Sequence, residues 1–102
     1  MKHVYLIQSL ENSYYKIGVS RNPKRRIKEL QTGNSSELKL VESYQSEFAD
    51  KIERTLQRRY SHLRKEGEWF DMGISNEVSF IKECQKIEET FVFLKKNNNV
   101  FI

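Results

Sequence analysis

A single cysteine, Cys84, is the whole thiol complement of this 102-residue chain. An internal disulfide framework and a cysteine-based zinc site are therefore excluded. Two histidines, His3 and His62, are too few for a histidine-rich metal site. The four glycines are scattered, which leaves no phosphate-cradling loop and no dinucleotide fingerprint. No apolar run approaches the roughly 20 residues that span a bilayer. The opening stretch, Met1 to Tyr5, lacks the apolar core of a secretory signal. An intracellular, cytoplasmic protein with no membrane partner is expected.

What is present argues for a folded domain. Twelve aromatic residues are more than a disordered chain carries. The length suits one domain with one modest core. The formal charge is +4, and it is unevenly placed. Residues 1–72 hold fourteen basic and ten acidic side chains, whereas residues 73–102 hold four of each. Six cations and no acid lie between Lys16 and Lys28. Six more lie between Lys51 and Lys65, with Glu53 the only acid among them. One such block would be an ordinary solvated helix face. Two, with aromatics between them, point to a phosphate-binding surface and an anionic partner.

Local pattern places the elements. His3 to Gln8 and Tyr14 to Ser20 read as strands, joined by a polar turn over Leu10 to Ser13. The first strand is apolar or aromatic on both parities, Val4 and Leu6 against Tyr5 and Ile7, so both its faces should be covered. Asn22-Pro23 is a helix start: Asn caps free N–H groups and proline suits the first helical position. Thr32-Gly33-Asn34 should end that helix, with glycine in the left-handed conformation. Leu38 to Tyr44 is a third strand. Ile52, Leu56, Tyr60 and Leu63 predict a second helix over about Glu47 to Arg64, with Glu53 and Gln57 at the edge of its stripe. Gly67-Glu68-Trp69-Phe70 is a short loop or strand, whose two aromatics should close the core rather than stack on bases. Phe80, Cys84, Ile87, Phe91 and Leu94 predict a third helix from roughly Asn76 to Lys95, with Cys84 buried and inert. Val100-Phe101-Ile102 is an apolar end. The expected architecture is α+β in the order β-β-α-β-α-α, on a small, mostly antiparallel three-stranded sheet flanked by helices. A single domain is expected over residues 1–102, with 73–102 as a covering helix and tail.

Val4-Tyr5-Leu6, then Tyr15-Lys16-Ile17-Gly18-Val19-Ser20, then Asn22-Pro23 with Arg25-Arg26, then Glu53 on a helix and Gly67 to Phe70, together resemble the GIY-YIG nuclease superfamily. The likeness is to a divergent, phage-type branch with Val-Tyr, Lys-Ile-Gly and Gly-Glu-Trp-Phe motifs, and it covers roughly residues 3–72. It implies a metal-dependent endonuclease acting on DNA phosphodiester bonds. On that resemblance Tyr5 helps activate the attacking water. A free tyrosine titrates near 10, so such a role requires positive charge nearby. Lys16 stands at the second tyrosine of the family and could supply that charge. Arg26 corresponds to the arginine that stabilises phosphate charge, a task suited to the forked, always-charged guanidinium. Glu53 corresponds to the glutamate that holds one divalent cation, Mg²⁺ or Mn²⁺. Arg21, Lys24, Arg25, Lys28, Arg54 and Arg58 are the expected nucleic-acid contacts.

Three departures from the family pattern are visible. Lys16 replaces the second tyrosine, Leu30 stands where some members have histidine, and Gln57 follows Leu56 where the branch often has histidine. They motivate an alternative, a catalytically impaired DNA-binding module on the same fold. A third reading is an interaction domain for RNA or an acidic protein. The short chain also implies a homodimer or a separate targeting partner.

Overall fold

A computed structural model describes residues 1–97. The expected apolar end, Val100 to Ile102, lies outside the described residues. The chain begins with a hairpin of β1 (His3–Ser9) and β2 (Tyr15–Ser20). The Ser9 N–H donates to the Tyr14 carbonyl at 2.9 Å, and Ser13 makes the turn with a positive φ of 61°. Helix α1 (Pro23–Thr32) follows. Its start matches expectation: the Arg25 N–H donates to Asn22 Oδ1 at 3.1 Å, with Pro23 in the first turn. Its end differs. Gly33 has φ −97°, so the left-handed cap expected from glycine is not formed. The last turn instead tightens, with Gly33 N–H on the Leu30 carbonyl at 3.3 Å. The Gln31 side chain then bonds Asn34 O, Ser36 O and Leu38 N–H, which steers the chain into the next strand.

Strand β3 (Leu38–Gln45) pairs antiparallel with β1, with a register shift between Leu6 and Ile7. Helix α2 runs over Ala49–Arg59, shorter at both ends than its apolar stripe suggests. Ser46 Oγ accepts from Phe48 N–H at 3.0 Å and holds the entry as a turn. At the other end a 3₁₀ turn (Ser61–Leu63) takes over, so Tyr60 and Leu63 reach the core from tighter backbone. Residues Trp69–Phe70 form β4, which pairs antiparallel with β2. The sheet therefore has four strands rather than three, in the order β3-β1-β2-β4. The fourth strand is only two residues long, too short for any alternation to show in sequence. Helix α3 (Ile74–Lys96) begins two residues before Asn76 because Gly73 is extended and its carbonyl accepts from Asn76 and Glu77.

The sheet separates two apolar layers, as the double-sided pattern of β1 requires. On one face Val4, Leu6, Tyr15, Ile17 and Phe70 pack against α2 and α3 through Ile52, Leu56, Phe80, Cys84 and Ile87. On the other, Tyr5 and Ile7 lie with Leu38, Leu40 and Trp69 beneath Ile27 and Leu30 of α1. Phe70 thus closes the core as expected, and Cys84 is buried as expected, its thiol pushed up to about 12 mainly by burial. Two phenols tie α3 to the sheet. Tyr15 Oη donates to Glu77 at 2.6 Å and Tyr44 Oη donates to Glu88 at 2.6 Å.

Gly18 is the tightest point of the hairpin. It lies opposite Tyr5, and a Cβ there would stand 2.2 Å from Tyr5 Oη and 2.3 Å from Cζ. Tyr5 is only 3% exposed and has little room to move aside.

Two outcomes follow. Gly18→Ala should lower stability by about 1–3 kcal/mol, the usual cost of overpacking; an unchanged urea midpoint would show that the ring does not lie over Gly18. Burial first, then the hydrogen bonds to Glu77 and Glu88, push Tyr15 and Tyr44 up to about 12. The folded state therefore holds these protons more tightly than the unfolded chain does. Their contribution is complete below the ordinary phenol value near 10 and is lost as pH rises from 10 to about 12. Thermal melts should show a loss across that window, and Tyr15→Phe should make it shallower.

Candidate active site at the open edge of the hairpin

The site is built from the hairpin outward. Tyr5 on β1 and Gly18 on β2 share a face, because cross-strand partners point the same way. Lys16 lies on that face too, opposite Ile7 of β1 and Trp69 of β4. The glycine leaves a hollow that the Tyr5 ring fills. Helix α1 then brings Arg26 beside the Tyr5 hydroxyl. The Tyr5 hydroxyl oxygen beside this guanidinium is the largest cause raising the Arg26 pKa above its ordinary value, and Glu29 adds to it. Arg26 is also held by Glu29 at 3.5 Å. Positive charge thus stands next to the Tyr5 hydroxyl, where developing negative charge would be stabilised.

Beyond Lys16, no strand among the described residues covers the outer side of β2, because β4 pairs only with Tyr15 and Lys16. Helix α2 meets this edge from the opposite face. Gln57 Nε2 donates to the Ile17 carbonyl at 3.1 Å and satisfies an edge acceptor. Glu53 stands one helical turn before Gln57. Its carboxyl pKa is raised, first by burial and then by the nearby charges of Asp50 and Glu68. Arg54 and Lys16 act in the opposite sense. The charge of Lys16 therefore reaches Glu53 although the two belong to elements on different sides of the sheet.

Glu68 completes the cluster, and the sequence reading gave it no role. Its carboxylate forms an ion pair with Lys16, and this hydrogen bond is the main reason its pKa is lowered. Arg64 and Arg26 lower it further. Lys16 Nζ also sits 5.9 Å from the centre of the Trp69 ring, so its charge is held over an aromatic face. Gly67, with φ +62°, makes the turn that presents Glu68. A positive φ there favours glycine. The sequence did contain a signal for Glu68: an acid in a Gly-Glu-Trp-Phe motif directly after a basic block.

The charges of Lys16 and Arg26 act on Glu68, those of Glu68 and Lys16 act on Glu53, and Tyr5 stands beside Arg26. The other expected contacts divide. Arg21, Lys24, Arg25 and Lys28 are exposed on α1 and its approach, with Arg25 paired to Glu29 at 3.7 Å. Arg54 and Arg58 are exposed on α2. The two basic blocks therefore lie on opposite faces of the sheet and flank the site rather than forming one continuous surface. His3 is a strand residue on the Tyr5 face, opposite Ser20, and its Nδ1 is buried without a hydrogen-bond partner. Leu30, on the sheet side of α1, is partly buried against the Tyr5, Ile7 and Leu38 cluster.

The raised Glu53 pKa is also a stability statement. The folded state binds the Glu53 proton more tightly than the unfolded chain, so ionised Glu53 disfavours folding. Glu53→Gln should raise the urea midpoint at pH 7 in chelator. The difference from the parent should vanish as pH falls below the carboxylate range. A lower midpoint at pH 7 would show that Glu53 is instead a stabilising surface ion.

No curated protein and no solved structure matches the chain. Among the described residues, no helix is long and apolar enough to cross a membrane. A family model does match, the T5orf172 domain, over residues 2–91. That span contains the hairpin, α1, α2, Glu68 and most of α3. The family is phage-associated, nuclease-related and linked to nuclease and DNA-binding function, which makes DNA its substrate or partner. The chain belongs to the T5orf172 domain family.

Proposed function

We propose that this chain is a divalent-metal-dependent endonuclease of the GIY-YIG type that hydrolyses DNA phosphodiester bonds. What supports the reading is that Tyr5, Lys16, Arg26 and Glu53 lie on four elements around the hairpin, with Arg26 beside Tyr5 and the charge of Lys16 acting on Glu53. In this reading Tyr5 orients the attacking water and shares its proton, with Arg26 beside the hydroxyl. Arg26 also forks onto phosphate oxygens as charge builds on them. Lys16, held by Glu68, supplies a second fixed positive charge in place of the family's second tyrosine.

Glu53 would hold the cation. Among the described residues no group of three or more His, Cys, Asp and Glu side chains gathers around a common point. The fit is therefore to an ion that needs few protein ligands. Mg²⁺ keeps several waters and takes substrate phosphate oxygens, so one carboxylate with Glu68 nearby is a compatible set. The surroundings of Glu53 support this, since two acidic neighbours and burial leave its carboxylate short of positive charge. When bound, the ion would supply Lewis-acid neutralisation of phosphate charge.

A second reading is supported by the Lys16–Glu68 pair. A cation tied to a carboxylate, where the family has a tyrosine, suits a DNA-binding module without catalysis. A plasmid assay separates the two. With Mg²⁺ or Mn²⁺ the chain should nick supercoiled DNA, and chelator should stop it. Arg26→Ala and Glu53→Ala should each lower the rate by ~10²–10³, and Tyr5→Phe by ~10²–10⁴. Absence of nicking, with salt-sensitive DNA binding that survives Glu53→Ala, would sink the enzyme and leave the module.

A further inference from the structure

Helix α2 carries cations that the proposed chemistry does not use. Lys51, Arg54 and Arg58 recur at i, i+3 and i+7, so they share one face over about 10 Å of helix. Arg64 follows the 3₁₀ turn. Among the described residues none of these four pairs with a carboxylate, whereas Arg59 on the same helix is bound by Glu83 at 2.5 Å. On α1, Arg25 and Arg26 share Glu29. Arg21, Lys24 and Lys28 on α1 and its approach are likewise unpaired among the described residues, so unneutralised cations stand on both helices, and those of α2 form a second set.

These side chains line a groove. Arg54, Gln57, Arg58, Ser61 and Arg64 enclose about 250 Å³. A smaller hollow of about 170 Å³ lies against it, and Arg54 and Arg58 are the wall between the two. Gln57 places the groove beside the edge of β2, and charges at its rim act on two carboxylates of the site. Arg54 acts on Glu53 and Arg64 acts on Glu68. A chain of phosphates following the edge of β2 past Gln57 would meet this groove.

We infer that the α2 groove is a second phosphate-binding tract, which holds the backbone of duplex DNA flanking the phosphate in the cleft. The inference rests on the DNA reading above and adds a path to it. Arg26 and the α1 cations approach from one face of the sheet and the α2 tract from the other, so two runs of phosphates are gripped at once. That arrangement suits a duplex. Exposed guanidinium groups with no protein partner suit phosphodiester oxygens, and their contribution is chiefly counterion release.

The test is the salt dependence of binding to a fluorescent 20-base-pair duplex in chelator. Each phosphate contact contributes about 0.9 to the slope of log affinity against log salt. Arg54→Gln/Arg58→Gln should reduce the slope by about 2 and weaken binding at least tenfold at low salt. The control is Arg59→Gln/Lys86→Gln, which removes the same charge from the pair that holds Glu83. It should change the slope by less than about half a unit. Circular dichroism checks that each variant is folded. An equal fall in both variants, or no fall in the first, overturns the tract and leaves DNA binding standing. If the parent chain has no salt-dependent affinity for the duplex, the DNA reading itself fails, and the tract with it.

Discussion

The hairpin is organised by a tyrosine lying flat over a glycine. A side chain at Gly18 would occupy the space of the Tyr5 ring, so the pair exists only in this combination. The consequence spreads outward through packing. With the ring seated, α1 can lie close to the sheet through Ile27 and Leu30, and Arg26 is delivered beside the phenol oxygen. The Asn22 cap sets where α1 starts and so which residue arrives there. Shifting the helix by one residue would turn Arg26 about 100° away from the ring. Register of the hairpin, start of the helix and placement of the guanidinium are thus one constraint seen at three scales.

The second organising feature is an incomplete edge. A full fourth strand along β2 would satisfy its outer carbonyls and cover the cleft. The two-residue β4 instead stops at Lys16, and a side-chain amide from α2 takes over at Ile17. This substitution brings α2 against the edge of β2, one helical turn from Glu53. The short strand also sets the position of Glu68, since it is the residue just before the Lys16–Trp69 pair. Sheet edges are normally covered or blunted. Here the edge is used as the seam where both layers meet.

How much of this was legible follows from the range of the interactions. The hairpin, the α1 start and the apolar stripe of α2 are local patterns, and sequence shows them directly. The grouping of Tyr5, Lys16, Arg26 and Glu53 comes from motif order alone, because local pattern cannot join four distant segments. Gly33 misled: a glycine after a helix suggests a left-handed cap, but the Gln31 side chain already bonds the departing backbone and removes the need for one. The fourth strand was hidden because two residues carry no period. Glu68 was hidden for the same reason, since its role depends on that strand's pairing with β2. The division of the basic blocks was hidden too. Each is visible as a run of charge, but only the sheet between α1 and α2 puts them on opposite faces.

The charge arrangement at the seam is hard to explain as a device for stability. Glu53 is partly desolvated beside two other carboxylates, and its ionised form is disfavoured. The neutral glutamine that its position at the helix edge would accommodate carries no such penalty. Lys16 is largely covered, with 12% of its side chain exposed, and its ammonium is committed to Glu68 rather than to Glu53. A folding-optimised surface would instead pair Glu53 with a cation and leave Glu68 in water. Groups held against their electrostatic preference are a mark of functional sites, where stability is given up for chemistry or binding. A positive charge brought beside Glu53 would relieve the imbalance, whereas a phosphate alone would deepen it.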